Sequence, residues 1–358
     1  MSGRSAVVVP VGANDTKLWG IDARERLARI AAAQGRRLVD HPPPGEDALL
    51  VDLGYAFDPA WLRIAADAPG HAVTRDGAPV IAHVTTARPN PDALTPIAQE
   101  SASVENLELR KRERPFLERL TPASVPSLER ASYVASYKGV TDVLTKYLWP
   151  EWAFHLTRMA ARIGVTPNQV TFISALFCIA ATAAFWNGLY WIGLATGLVM
   201  MVLDTVDGKL ARCTITSSWW GNVFDHGIDL IHPPFWWYAW GAGLVAYGRP
   251  LEDDIFWACI AAIVGGYVVQ RLIEGAFIAL FGIHIHVWRR FDSWFRLITA
   301  RRNPNMPILA AFLAVGRPDW GLEAVAIWTI LSLIVHLFQL AQALAARAMR
   351  RPVVSWLA

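Results

Sequence analysis

The chain has 358 residues, 54% of them hydrophobic, with 17 Trp and a mean hydropathy of +0.30, which is too apolar for an ordinary soluble domain of this length. A formal net charge of only +3 removes any global case for nucleic-acid binding. Cys178, Cys213 and Cys259 lie far apart in apolar surroundings without metal-ligand spacing, so they read as packing residues and not as disulfides.

Charges and prolines crowd the first part of the chain, and apolar runs of transmembrane length begin only after Thr166. The fold expected is an all-α polytopic membrane domain at 166–350, a linker with an interfacial helix at 126–165, and a small α/β cytoplasmic domain at 1–125. The opening MSGRSAVVVPVGAND lacks the apolar core and cleavage site of a secretory signal, which predicts a cytoplasmic N-terminus. AVVVPV (6–11) and ALLVDL (48–53) read as strands around a helical DARERLARIAAAQ (22–34), a βαβ pattern. The intervening VGANDTKLWG carries neither a Walker nor a Rossmann glycine pattern, so no active nucleotide site is expected there.

YLWPEWAFHLTRMAARIG (147–164) sets aromatic and aliphatic residues beside Arg158 and Arg162 at helical spacing and is too polar to span, so it predicts an interfacial helix. Thr166 and Pro167 then form a helix start. Apolar runs near 169–186, 189–210, 221–247, 255–281, 305–316 and 323–346 give six spans, the fifth short. Arg-rich HVWRRFDSWFRLITARR (286–302) and the tail RAMRR (347–351) then both face the cytoplasm, as the positive-inside rule asks. The chain is expected to be an integral protein of a bacterial inner membrane with both termini cytoplasmic.

Asp204, Asp207, Gly208, Ala211 and Arg212 fall at i, i+3, i+4, i+7 and i+8, and so share a helix face. Gly221, Asp225 and Asp229 recur every four residues on the next helix, after a turn in which Ser217 and Ser218 can cap. Two antiparallel helices thus point four carboxylates at one another. Four uncompensated acids at bilayer depth would cost on the order of 10 kcal/mol. An all-oxygen donor set suits a pair of hard divalent ions, Mg²⁺ or Mn²⁺, clamping phosphates during displacement. Gly208 and Ala211 leave room for a ligand near the backbone, and Arg212 offers a planar fork to a phosphate or base.

The pattern D-x2-D-G-x2-A-R-x8-G-x3-D-x3-D, running from Asp204 to Asp229, together with the TPN tripeptide at 166–168, resembles the CDP-alcohol phosphatidyltransferases over about 140–350. These are integral membrane enzymes with six transmembrane helices. The resemblance implies that Asp204, Asp207 and Asp225 hold two metal ions, and that Asp229 both touches a metal and acts as general base. It implies that Pro167, Asn168, Gly208, Ala211, Arg212, Ser218 and Gly221 surround the CDP moiety. The reaction implied is transfer of a substituted phosphate from a CDP-alcohol to a lipid or polyol hydroxyl with release of CMP, by a homodimer among membrane lipids and without nucleic acid. The donor is either CDP-diacylglycerol or a soluble CDP-alcohol.

Competing readings are a divalent-cation transporter, which leaves Gly208, Ala211 and Arg212 without a role, and an inactive scaffold, which the intact acids oppose. Some fused relatives carry a sugar-nucleotide-type nucleotidyltransferase in front, which would make the enzyme bifunctional, its N-terminal domain supplying the CDP-alcohol. VVVPVGANDTKLWG and Asp52 are faintly similar to such a domain, but the glycine- and arginine-rich loop is missing, so a degenerate domain that supports assembly is expected.

Arg271 and Glu274 sit at i, i+3, as an intramembrane ion pair does. Alternatively Arg271, with Arg289, Arg290, Arg296, Arg301 and Arg302, binds a phosphate on the acceptor or an anionic lipid head. Lys138 in YKGVTDVLTKY, near Asp142, resembles an acceptor-site lysine of fused relatives. His226 should point off the acidic face, and His232, His284 and His286 read as interfacial or supporting residues. Trp219, Trp220, Trp236, Trp237 and Trp240 fit an aromatic belt.

Overall fold

A computed structural model describes residues 6–99, 103–106 and 109–358; the side chains of Val104, Glu105, Asn222, Asp225 and His226 lie outside that description. The N-terminal part is an α/β unit of β1 (Val7–Val11), α1 (Ala23–Ala33), β2 (Ala48–Asp52), β3 (Tyr55–Phe57), α2 (Ala60–Ala66), β4 (His71–Arg75), β5 (Ala78–Val84), β6 (Thr95–Ala98), β7 (Val104–Asn106), β8 (Lys111–Glu113) and β9 (Leu117–Arg119). A five-stranded sheet runs β1-β2-β5-β4-β6, while β3 pairs with β9 and β7 with β8. β1 and β2 are parallel, Val7 opposite Ala48, with α1 as the crossover, so the βαβ pattern in the sequence is the fold. Val7, Val8 and Val9 are all buried, as a run covered on both faces requires. α1 begins where Asp22 accepts from the Glu25 N–H at 2.7 Å.

The helical part contains α3 (Val125–Ala135), α4 (Pro150–Arg162), α5 (Pro167–Trp186), α6 (Tyr190–Cys213), α7 (Trp219–Tyr247), α8 (Asp253–Ile260), α9 (Gly266–Phe281), α10 (Arg290–Phe295), α11 (Arg302–Ala314) and α12 (Pro318–Ala348). A π turn at Ala261–Gly265 joins α8 to α9 as one rod. Among the described residues, four helices are long and apolar enough to cross a membrane: Pro167–Trp186, Tyr190–Cys213, Asp253–Phe281 and Pro318–Ala348. α7 is 29 residues long. α11, over the fifth apolar run, has 13 residues; at 1.5 Å per residue it is about 20 Å long, short of a bilayer core.

Thr166 starts α5 with a capping box: its hydroxyl accepts from the Gln169 N–H at 3.3 Å, and Gln169 Oε1 accepts from the Thr166 N–H at 2.9 Å. α4 buries Ala153, Phe154, Thr157 and Ala160 and leaves Trp152, Met159 and Ile163 exposed, a two-faced helix as its spacing predicts.

One apolar core runs from the sheet into the helices, including Val8, Trp19, Phe154, Cys213 and Val325. The α/β unit docks on the end of α6. Arg26 Nη1 donates to Cys213 O at 3.1 Å and Arg29 Nη1 to Thr214 O at 2.8 Å, so two cations meet the carbonyls at a helix C-terminus. Trp19 Nε1 adds a bond to Ser132 Oγ at 2.7 Å. The loop after β1 is held by its own side chain, Asn14 Nδ2 donating to Leu53 O at 3.1 Å and Leu120 O at 2.9 Å.

The aromatic belt needs correction. Trp219 and Trp220 are exposed, but Trp236, Trp237 and Trp240 are core. Trp236 Nε1 donates to Cys178 O at 3.2 Å and Trp240 Nε1 to Pro318 O at 3.1 Å, so each ring lies between helices with its polar atom satisfied.

Candidate active site at the α5, α6, α7 and α11 junction

α5 packs along α6 and α7, and the N-terminus of α11 closes the same region. Asp207, 3% exposed, accepts from the Thr171 hydroxyl of α5 at 2.6 Å. Asp204 of α6 and Asp229 of α7 converge on one guanidinium. Arg302, the first residue of α11, donates Nη2 to Asp204 Oδ2 at 2.8 Å and Nη1 to Asp229 Oδ1 at 2.8 Å. Its Nη1 also lies 3.3 Å from His232 Nε2, which gives His232 a supporting place one step behind the acids. Asp225 lies one turn before Asp229 on α7, but its side chain, like that of His226, is outside the described residues. Three of the four expected acids are therefore described, and two of them share the Arg302 guanidinium.

The residues that the resemblance assigns to the CDP moiety form two local groups, one at the starts of α5 and α7 and one on α6. Ser218 caps α7, its Oγ accepting from the Gly221 N–H at 3.0 Å. A Cβ at Gly221 would stand 3.0 Å from both Asn168 Oδ1 and Ser218 Oγ, so glycine here lets α5's first turn approach α7's. A Cβ at Gly208 would lie 3.0 Å from Arg212 Nη2, so that glycine leaves room for the guanidinium. Pro167 is the first residue of α5, and Ala211 lies half-buried beside Arg212 on α6.

Arg212 Nε donates to Ser136 O at 3.1 Å, and Lys209 Nζ donates to the same carbonyl at 3.0 Å while sitting 3.3 Å from the Tyr137 ring centroid. Sequence reasoning missed Thr171, Lys209 and Tyr137. Lys209 follows Asp207 by two positions, which turns it off the acidic face, and its partners lie more than 70 residues upstream.

A second charged cluster surrounds Glu274. The Arg271–Glu274 pair expected from sequence forms at 3.1 Å, but Arg301 also donates to the same Glu274 oxygen and reaches His286 Nε2 at 3.1 Å. Burial, with Arg301 nearby, pushes the Arg110 guanidinium down to about 10, and burial beside Arg301 pushes Arg296 well down too. The region thus holds more cationic groups than Glu274 alone balances. Lys138 lies within electrostatic range of Lys209 and His284. Arg289 is turned instead to Asp292, at 3.1 Å, and Gln342, at 2.7 Å.

Glu274, His286 and His336 bring ligand atoms within 4.8 Å of one another, a metal-type donor set by residue. The charge balance opposes a cation there, because the carboxylate is already neutralised by two arginines and Arg301 touches His286. By charge and donor chemistry the carboxylates of Asp204 and Asp229 suit hard divalent ions better: two acids face one guanidinium there, whereas at Glu274 one acid faces two.

Residues 164–349 match the model of the CDP-alcohol phosphatidyltransferase family. Cholinephosphotransferase 1 of Gallus gallus is 32% identical over 129 residues, 32% of this chain and 36% of that protein. Choline/ethanolaminephosphotransferase 1 of Arabidopsis thaliana is 30% identical over 146 residues, 37% of this chain and 35% of the relative. Archaetidylinositol phosphate synthase of Pyrococcus horikoshii is 28% identical over 114 residues, 31% of this chain and 54% of the relative. The chain thus spans little more than a third of the two phosphotransferases and about half of the archaeal synthase.

Proposed function

Because this chain belongs to the CDP-alcohol phosphatidyltransferase family, we propose that it transfers a substituted phosphate from a CDP-alcohol to an acceptor hydroxyl and releases CMP. The observation that carries this reading is the convergence of Asp204 and Asp229, from separate helices, on the Arg302 guanidinium at 2.8 Å each, with Asp207 buried one helix turn on from Asp204. Such a cleft offers carboxylate oxygens to positive charge, and the family is in general divalent-cation dependent.

In this reading Asp204, Asp207, Asp225 and Asp229 would hold two Mg²⁺ or Mn²⁺ ions. When bound, these ions neutralise the diphosphate of the donor. Asn168, Ser218, Gly221, Gly208, Ala211 and Arg212 bind and orient the CDP part, with Pro167 setting the start of α5. Asp229 Oδ takes the proton of the acceptor hydroxyl; the oxygen bonds to the β-phosphorus as the bond from that phosphorus to the bridging oxygen breaks, and CMP departs with the electron pair. Lys138, Arg271 and Arg301 stand on the acceptor side, where the surplus cationic charge around Glu274 favours an acceptor bearing phosphate; Arg302, expected with them, is turned instead to Asp204 and Asp229. The N-terminal α/β unit serves assembly, because Asn14 of the loop after β1 is engaged by Leu53 O and Leu120 O and α1 is tied to the end of α6. The proposal extends to domains at 1–125, 126–165 and 166–350, to six spans, with α7 among them and the short α11 crossing by local thinning of the bilayer, to α4 at the interface, to cytoplasmic termini and to a homodimer.

The test is to incubate purified protein with Mg²⁺ and a panel of CDP-choline, CDP-ethanolamine, CDP-inositol and CDP-diacylglycerol with lipid and polyol acceptors, following CMP release and product mass. CMP release that EDTA and Asp229→Asn both abolish supports the reading. Mg²⁺ flux into liposomes with no CMP from any donor would overturn it in favour of transport.

A further inference from the structure

We propose that Arg302 is the resident counter-cation of the acidic cleft: it holds Asp204 and Asp229 in register and yields their oxygens when divalent ions arrive. This rests on the metal role given to those aspartates above. Arg302 comes from α11, far outside the motif that supplies the acids, and its side chain is only 10% exposed. Its two terminal nitrogens take one carboxylate each at 2.8 Å, so oxygens of two acids that would hold a hard cation are already engaged.

Guanidinium and metal would compete for those oxygens. They draw on the same oxygen lone pairs, and a charge of +1 a few ångströms from one of +2 is repelled strongly in a partly buried cleft. The Asp229 side chain is 42% exposed, so the carboxylate is not sealed among the protein's own helices. Arg302 has neutral partners that stay with it: its Nε donates to Asn303 Oδ1 at 3.0 Å, and Asn303 is itself tied to Asp142 Oδ2 at 3.2 Å. The benefit to the protein is that two carboxylates, expensive to bury alone, are never left uncompensated before loading. The consequence is that Arg302 competes with the ions and lowers their apparent affinity.

The full chain, in detergent, is titrated with Mn²⁺ by electron paramagnetic resonance of the free ion, and its thermal unfolding is followed with and without Mn²⁺. Arg302→Gln should bind Mn²⁺ roughly tenfold or more tightly than wild type, unfold earlier without metal, and gain more from Mn²⁺. Arg302→Lys, which keeps the charge but not the two-pronged grip, should fall between, and it carries the test if Arg302→Gln does not fold. Mn²⁺ affinity equal to or weaker than wild type in both variants, while wild type binds and Asp204→Asn does not, overturns the inference alone. Absence of Mn²⁺ binding in wild type and in every variant overturns the metal reading itself, and the inference with it.

Discussion

Thr171 of α5 places its hydroxyl 2.6 Å from Asp207 Oδ2 and 3.1 Å from its own helix's Pro167 O, so a neutral donor from a neighbouring helix faces a buried carboxylate. The carboxylate is the stronger acceptor, and the bond fixes which way Asp207 turns its other oxygen. Thr171→Val keeps the shape and removes the donor. We expect a stability loss of about 1–3 kcal/mol, and about tenfold more Mg²⁺ needed for half-maximal rate, with Thr171→Ser near wild type. A Mg²⁺ titration of CMP release on all three proteins checks this; equal Mg²⁺ requirements would remove Thr171 from the site.

Most of what this site contains was visible in the sequence because it lies on two short stretches whose spacing is helical. Asp204, Asp207, Gly208, Ala211 and Arg212 share one face of α6 by arithmetic alone, and Ser218 and Thr166 announce their helices by cap chemistry. Arg302 and Thr171 were not legible as partners of those acids, since no local period links residues 98 or 36 positions apart. The tryptophans misled for a related reason. Periodicity marks a large ring as apolar but not whether lipid or another helix covers it, and Trp236 and Trp240 found carbonyl partners on other helices.

Gly221→Ala tests the donor side. The added Cβ would stand 3.0 Å from Asn168 Oδ1 and Ser218 Oγ, which must each shift by a few tenths of an ångström. Because both groups are assigned to the CDP moiety, the KM for the CDP-alcohol should rise about tenfold, a transition-state loss of ~1.4 kcal/mol, with kcat less affected. Steady-state kinetics at saturating acceptor decides it, and an unchanged KM would move CDP recognition elsewhere.

Arg26 and Arg29 test what the α/β unit does. Both donate to carbonyls at the end of α6, the helix that carries Asp204 and Asp207. Arg29→Ala should cost about 1 kcal/mol, as its side chain is 29% exposed, whereas buried Arg26→Ala also opens a cavity and should cost about 2–4 kcal/mol. Amide exchange should quicken at 213–218 in both, more in the second. Loss of CMP release in step with that exchange would mark the unit as a brace for the catalytic helix, and unchanged exchange would show that the docking is held by other contacts.

Trp236 and Trp220 separate core from surface on one helix. Trp236 is fully buried, meets Phe185 edge-on with ring centroids 5.6 Å apart, and lies 5.0 Å from the His232 ring, which in turn touches Arg302. Gly197 accommodates it, since a Cβ there would stand 3.1 Å from the Trp236 ring. Trp236→Ala should therefore cost about 3–5 kcal/mol. Its effect should also reach the acids through His232, lowering kcat in whatever fraction remains folded. Trp220 is 72% exposed, so Trp220→Ala should shift stability by no more than about 0.5 kcal/mol. Thermal unfolding of both variants in the same detergent gives the comparison, and equal losses would show that Trp220 is packed as closely as Trp236 in the solubilised protein.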